Sequence, residues 1–452
     1  MNTPHFLKRL LGSVTRKPFV PSAANARTAR KAIALCKTLM SERGEATGAT
    51  LAREVQAAYR GLDGAVLDVF FDLLVEEFSP DPVAVLGAAQ AYAADPSQAS
   101  LKRLQTAVEA PRQGLFRRIN IAPGGTATLI SMRRHLLQNA QRRPQWASVE
   151  SDLAHLLASW FNRGFLVLNR IDWRTSAIVL EKLIQYEAVH QIQGWLDLRR
   201  RLEADRRCYA FFHPALPEEP LIFIEVALTR GMSAAVQPLL DPNSAVCDPE
   251  LADCAIFYSI TNCQEGLRGI SFGNFLIKQV AKDLGREFPR LKIFATLSPI
   301  PGFRKWLASE AARRDNEELK NLMHHIESPE AADGMESAAI AALREPLSRL
   351  CAHYLLHAKS GSEPLDPVAR FHLGNGARLE RLNWQGDTSS AGMQRSAGLM
   401  ANYVYRITDI ERNHEDYAKR HKVIASTRLN VLAKSAPFMA EEQDQRNIQK
   451  TH

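Results

Sequence analysis

One stretch, Cys254 to Phe303, restricts the fold of this chain more than any other. It opens on an apolar run, Cys254-Ala255-Ile256-Phe257-Tyr258-Ser259-Ile260, whose length and residue types predict a buried strand. A loop follows, Arg268-Gly269-Ile270-Ser271-Phe272-Gly273-Asn274. Leu276, Val280, Leu284 and Phe288 then recur four residues apart with Ile277 beside them, while Lys278, Lys282, Asp283, Arg286 and Glu287 fill the opposite side. That pattern predicts an amphipathic helix, ended by Pro289. A second apolar run, Ile293-Phe294-Ala295-Thr296-Leu297, leads to Ser298 and to the chain break Pro299-Ile300-Pro301-Gly302. Two strands joined by a helix should be parallel, with a right-handed connection. The loop lies where amides at a helix N-terminus face a bound anion. Ser298 lies at the carboxyl end of the second strand, the ligand edge of an open α/β sheet.

The chain on either side differs in character. Residues 22 to 203 read as helix almost throughout, with stripes such as Val66, Leu67, Phe70, Leu73 and Leu74 and breaks at Pro80-Asp81-Pro82, Pro96, Pro111 and Gly124-Gly125. No fixed period recurs, so a bundle with short connections is expected rather than a solenoid. From Arg206 the composition shifts. Cys208–Phe212 and Leu221–Leu228 read as strands that join the two already described. Residues 304–358 return to helix, with an acidic stretch near Glu327 to Glu336. In Val368 to Ala377, Asn375-Gly376 is a turn signal between short strands. A polar segment runs from Asn383 to Gly398, and Leu399 to Tyr405 is apolar and aromatic. The expectation is an α+β multidomain chain. It has a basic, disordered tail (1–21), an all-helical bundle (22–203), an α/β catalytic domain (206–440) and a disordered C-terminal tail (441–452).

A length of 452 residues leaves room for two or three cores. The net charge of +8 suits a polyanionic small ligand and suits an ordinary basic surface equally well. No dense Lys/Arg cluster interleaved with aromatics points to nucleic acid. No apolar run approaches the roughly 18 residues of a membrane span. The six cysteines show no CxxC spacing, which fits a reduced, cytoplasmic protein. The acid-free, Arg-bearing first 41 residues would instead imply the mitochondrial matrix if they formed a leader. His324-His325 lacks the spacing and acidic partner of a zinc site, so no metal is assigned.

Taken alone, the candidate site residues are ambiguous. Arg268 to Gly273 reads R-x-x-S-x-G, close to the Q/R-x-x-G-x-G/A pyrophosphate loop of GNAT acyltransferases, with Ser271 in place of the first glycine. The alternative is a tight strand-to-helix turn that uses glycine for its backbone freedom. Ser298 has no Gly-x-Ser-x-Gly elbow, which argues against a hydrolase nucleophile. His372 sits between apolar neighbours, where a lone histidine is more often structural. Tyr405 and Asn383 carry weaker signals.

Four stretches together resemble the malonyl-CoA decarboxylase family. They are His213 to Leu228, Ala255 to Leu307 with its Ser298-Pro299-Ile300-Pro301-Gly302-Phe303, Asp366 to Ala377 with its Phe371-His372-Leu373-Gly374-Asn375-Gly376, and Gly398 to Tyr405. The resemblance is close over the C-terminal half and looser over the helical half. It implies a helical N-terminal domain followed by a GNAT-like catalytic domain. It also implies assembly into a homo-oligomer through the helical domain, with a tetramer as one form. By resemblance Ser298 and His372 are catalytic. Arg268, Gly269, Ile270, Ser271, Phe272, Gly273 and Asn274 bind the coenzyme A moiety, and Tyr405 joins the substrate-binding set. Members of the family can carry an acidic residue where this chain has Ser271.

The implied reaction is decarboxylation of malonyl-CoA to acetyl-CoA and CO₂ through a thioester enolate that a Ser–His pair protonates. The thioester is itself the electron sink, so no cofactor is expected beyond the coenzyme A of the substrate. Donors for the thioester oxygen are expected at the splayed end of the 254–260 strand. Two other classes compete: a GNAT-type acyltransferase with an amine acceptor, and a non-catalytic coenzyme A-binding regulator.

Overall fold

The computed structural model describes residues 23–270, 272, 276–327 and 338–435. The expected tails, and the acidic stretch from residue 328 on, lie outside the described residues. The chain divides into two compact units. One holds the described residues up to Phe161 together with Glu265–Ile270; the other holds Asn162–Gln264 and the described residues from Phe272 onward. Among the described residues no helix is long and apolar enough to cross a membrane.

The first unit is helical from Ala23–Ser41 to Ala147–Trp160. Two of the prolines that break its sequence pattern act as helix starts. Pro82 opens Pro82–Ala94, capped by Asp81, whose carboxylate accepts from the Val83 amide, and Pro111 opens Pro111–Ile121. The stripes converge on a core that includes Ile33, Phe70, Phe71, Leu115, Phe116 and Trp146. The segment Glu265–Ile270 packs with this unit. Gly266 lies against the Ile130 carbonyl of helix Gly125–Asn139, where a Cβ would have no room. Arg133 Nη1 donates to the Gly266 carbonyl at 2.8 Å.

The second unit is built on an eight-stranded sheet. In chain order the strands are β1 (Val167–Ile171), β2 (Arg206–Phe212), β3 (Ile222–Thr229), β4 (Cys254–Asn262), β5 (Ile293–Thr296) and β6 (Ser298–Pro299). A separate small hairpin of β7 (Lys359–Ser360) and β8 (Glu363–Pro364) precedes β9 (Arg378–Asn383) and β10 (Met400–Val404). The sheet order is β1-β2-β3-β4-β5-β10-β6, with β9 on β10. β4 and β5 are parallel, as the helix crossover Leu276–Glu287 requires, and the other pairings are antiparallel. Two apolar clusters pack against the sheet, one including Leu180, Leu183, Phe212 and Phe223, the other Val236, Ile256, Leu297 and Met400. The architecture is α+β: a helical region followed by a unit built on a mixed sheet.

Two expectations of local structure fail. The helical reading of 22–203 misses β1, which pairs antiparallel with β2 from Val167↔Phe212 to Ile171↔Cys208. The expected strands around Asn375-Gly376 are instead the helix Pro367–Gly374. Asp366 caps that helix and Pro367 opens it. Asn375 and Gly376 end it: Gly376 takes φ +81°, its amide bonds to Leu373 O, and the Ala377 amide bonds to His372 O. This is the Schellman arrangement, which satisfies the last helical carbonyls. The polar segment 383–398 also contains a helix, Ser390–Ser396.

Candidate active site

β4 and β5 part at a defined level. Their register runs from Cys254↔Ile293 to Phe257↔Thr296, and the Leu297 amide makes a last bond to Phe257 O at 3.0 Å. At the same level β4 bulges. Glu225 pairs with Ser259 and Val226 with Phe257, so Tyr258 has no counterpart on β3. Beyond it a cavity of about 230 Å³ opens between the strands, lined by Phe257, Ile260, Leu297 and Ser298 from the sheet and by Phe371 and His372 from the helix Pro367–Gly374.

The polar centre of this cavity is a chain of four side chains. Ser298 Oγ stands 2.9 Å from His372 Nε2, and the Ser298 hydroxyl donates to Thr296 Oγ1 at 2.8 Å. His372 Nδ1 lies 2.8 Å from the Tyr405 hydroxyl. Because the Ser298 proton points to Thr296, its oxygen accepts from Nε2–H, and Nδ1 is left to accept from the Tyr405 phenol. Burial pushes the Tyr405 phenol well above its usual range, so it remains a donor. Burial also pushes the His372 imidazole down to about 3. A neutral ring therefore stands in the cavity with its one proton on the nitrogen facing Ser298. Tyr403 stacks on that ring at 4.6 Å between centroids and 29° between planes.

Local structure explains the alignment. Thr296 and Ser298 lie two apart on nearly extended chain and share a side of it, as do Tyr403 and Tyr405 across β10. Ala401 of β10 pairs with Ser298 and the Tyr405 amide bonds to Phe294 O, so β10 holds the serine and the tyrosine in one register. Asp366 ties the histidine's helix to the serine's turn. Its buried carboxylate accepts from the Val368 and Ala369 amides at 3.0 and 2.9 Å, and also from the Gly302 amide.

Ser298 and His372, the two expected catalytic residues, meet here. Tyr405, named among the substrate-binding residues, is buried against His372 Nδ1 and is not among the residues lining the cavity. The loop residues Ser271, Gly273 and Asn274 lie outside the described residues. Arg268 and Gly269 are exposed, Gly269 at φ +82°, and Phe272 is buried. Thr296, Tyr403 and Asp366 were not foreseen. Thr296 was legible from its i−2 spacing to Ser298, and Asp366 from the Asp-Pro pair that marks a capped helix start. Among the described residues no cluster of His, Cys, Asp and Glu is arranged to hold a metal.

Comparison with known proteins bears on what this arrangement does. Residues 164–447 match the family model of the malonyl-CoA decarboxylase C-terminal domain, and residues 78–161 match that of the N-terminal domain. The chain is 38% identical over 343 residues to the mitochondrial malonyl-CoA decarboxylase of Anser anser anser, covering 70% of this chain and 68% of that one. It is 37% identical over 353 residues to the Rattus norvegicus enzyme of the same name, covering 72% of each. Among solved structures, the malonyl-CoA decarboxylase of Rhodopseudomonas palustris superposes with a TM-score of 0.84 at 48% identity, covering 89% of this chain and 98% of that one. The Agrobacterium vitis protein of the same name gives 0.83 at 46% identity, covering 89% and 99%.

Proposed function

The chain belongs to the malonyl-CoA decarboxylase family, and on that premise we propose that Ser298 and His372 carry the proton that completes the reaction. The protein is a carboxy-lyase that converts malonyl-CoA to acetyl-CoA and CO₂. The bond between C2 and the terminal carboxylate breaks, CO₂ leaves, and the electron pair delocalises from C2 onto the thioester oxygen. The amides where β4 bulges and leaves β5 are the donors for that oxygen, worth about 3–4 kcal/mol each in comparable sites. The thioester supplies the electron sink, so the chemistry calls for no further cofactor.

The observation that carries the proton assignment is the 2.9 Å contact between Ser298 Oγ and His372 Nε2 inside the cavity. Among the described residues, the lining side chains apart from Asn262, Ser298 and His372 are aliphatic or aromatic, with no Lys or Arg. The malonyl carboxylate must therefore find its countercharge on His372, which takes up a proton as the substrate binds. Loss of CO₂ leaves an imidazolium beside an enolate. Ser298 passes its own proton to C2 and is reprotonated from Nε2, so acetyl-CoA forms and both protein groups end neutral. Tyr405 acts as a positioning residue at Nδ1: its hydroxyl donates to the neutral ring and turns to accept from Nδ1–H once the ring is protonated. The test is incubation of pure protein with malonyl-CoA and no acceptor. Acetyl-CoA and CO₂ should appear together, whereas loss of the acyl group only when an amine is added would favour the acyltransferase reading.

The loop Arg268 to Asn274 is our candidate for the coenzyme A pyrophosphate. Gly269 at φ +82° supports a turn that an ordinary side chain would strain, and in sequence the loop directly precedes the helix Leu276–Glu287. Arg268→Glu is expected to raise KM for malonyl-CoA more than it lowers kcat; an unchanged KM in steady-state assays would remove Arg268 from the site.

We also propose that helix Pro82–Ala94 mediates a homo-oligomer. It is largely apolar yet contributes no buried residue, and Val83 and Leu86 are 78% and 60% exposed. Leu86→Glu should lower the mass measured by light scattering while preserving the circular dichroism spectrum, and an unchanged mass would place the interface elsewhere. All six cysteines are free and five are buried, which supports a reducing compartment: the cytoplasm, or the matrix if the basic start is a leader.

A further inference from the structure

β4 carries two different surfaces. Ile260 and Asn262 line the cavity. Ser259 and Thr261 alternate with them and so project from the other face of the sheet. On that other face both hydroxyls donate to one buried carboxylate, Glu187: Ser259 reaches its two oxygens at 2.8 Å each and Thr261 reaches Oε2 at 3.2 Å. Glu187 Oε1 also accepts from the amides of Val189 and His190 at 2.8 and 2.9 Å. The His190 carbonyl in turn accepts from Arg201 Nη2 at 2.9 Å, and Arg201 is itself paired with Asp197 and with the fully buried Glu225. The turn 187–190 is thus fastened at both ends to the face away from the cavity. Yet Val189, two residues beyond Glu187, lines the cavity beside Ile222 and Ile260.

A segment bonded to one face of β4 and lining a cavity on the other must close the gap where β4 and β5 part. We propose that the Glu187-anchored turn, with Val189 as its plug, seals the cavity at that gap and keeps nucleophiles off the thioester carbonyl. This rests on the reading that the cavity holds the malonyl thioester. The need is chemical. A decarboxylase has one substrate, but the carbonyl carbon of its thioester is an electrophile that any admitted water can attack. Were water admitted, its oxygen would bond to the thioester carbon, the C–S bond would break and the sulfur would leave as a thiol, giving malonate and free coenzyme A. Exclusion of water from the site removes that branch. Glu187 therefore serves as a positioning residue, and Val189 as a determinant of which reaction the site performs.

The experiment compares wild-type protein with Glu187→Gln and Val189→Ala, each incubated with malonyl-CoA. Acetyl-CoA and free coenzyme A are separated by chromatography. The readout is the ratio of free coenzyme A to acetyl-CoA, which does not depend on how much of each preparation is folded. Both variants should raise this ratio severalfold, and hydroxylamine added as a probe nucleophile should yield malonyl hydroxamate with them and not with wild type. Glu187→Gln should also lower kcat/KM for decarboxylation by about tenfold, the scale of one lost hydrogen bond to a buried charged acceptor. Val189→Ala, which leaves the anchoring bonds intact, decides the matter if Glu187→Gln does not fold. An unshifted ratio in the folded variants overturns the inference. Absence of acetyl-CoA from the wild-type reaction would instead overturn the functional reading, and this inference with it.

Discussion

Replacing His372 with alanine should lower kcat by about 10²- to 10⁴-fold, the range expected when a positioned acid is removed. Ser298→Ala should fall in the same range, and the double variant should lose little more than either single one, because the two groups move one proton as a unit. Binding of coenzyme A itself, measured by calorimetry, should stay close to wild type in all three. The pH dependence carries a second signature. With the imidazole pushed down to about 3 by burial, the free enzyme holds neutral histidine across the physiological range. The profile of kcat/KM should therefore lack a break near the unperturbed value of about 6.5. The proton that the substrate brings to His372 must instead be drawn from solvent, so kcat/KM should decline as pH rises through neutrality. A break near the unperturbed value would mean that the ring is solvated and titrates freely. Near-normal turnover in both single variants would reject the pair.

Asp366→Ala is expected to have the largest effect on stability. The carboxylate is fully buried and caps the helix that carries His372, while also receiving the Gly302 amide from the turn after Ser298. Removing it deletes a helix cap, worth about 1 kcal/mol, and strands buried amides at about 1–3 kcal/mol each, so a loss of about 3 kcal/mol in urea unfolding is expected. The Ser298–His372 distance is set across the same carboxylate. A misplacement on the order of 1 Å costs roughly 100-fold, so kcat should fall further than the loss of folded protein accounts for. Asp366→Asn keeps one acceptor oxygen and should recover part of both. If Asp366→Ala unfolds at the wild-type urea midpoint, the carboxylate does not hold the two segments together.

What was legible in the sequence follows the strength of each physical signal. The helix Leu276–Glu287 was clear because apolar residues recur every four positions along one side, and β2 to β5 because each is a short run buried on both faces. β1 was missed for the opposite reason. It is an edge strand with most of its residues exposed, so it carries no apolar run to read. Asn375-Gly376 misled because glycine at positive φ serves a hairpin and a helix end alike. Only the Asp366-Pro367 pair upstream separates the two.

The site was legible to different depths. Ser298 and His372 were reached through the resemblance of two short strings, since nothing in their spacing says that a strand end and a helix end meet. Tyr405 was placed in the site, but its contact with Nδ1 depends on β10 lying beside β5, a pairing that no local pattern encodes. Glu187 left no trace at all. Its partners Ser259 and Thr261 read only as polar positions in an apolar strand, and their common acceptor comes from a distant loop.

The most direct measurement is a crystal structure with a malonyl thioester analogue that cannot lose CO₂. The account predicts the carboxylate in the cavity between β4 and the helix Pro367–Gly374, within hydrogen-bond distance of Ser298 or His372, and the thioester oxygen facing the backbone at the Tyr258 bulge. An analogue bound with its acyl end away from both side chains would contradict it.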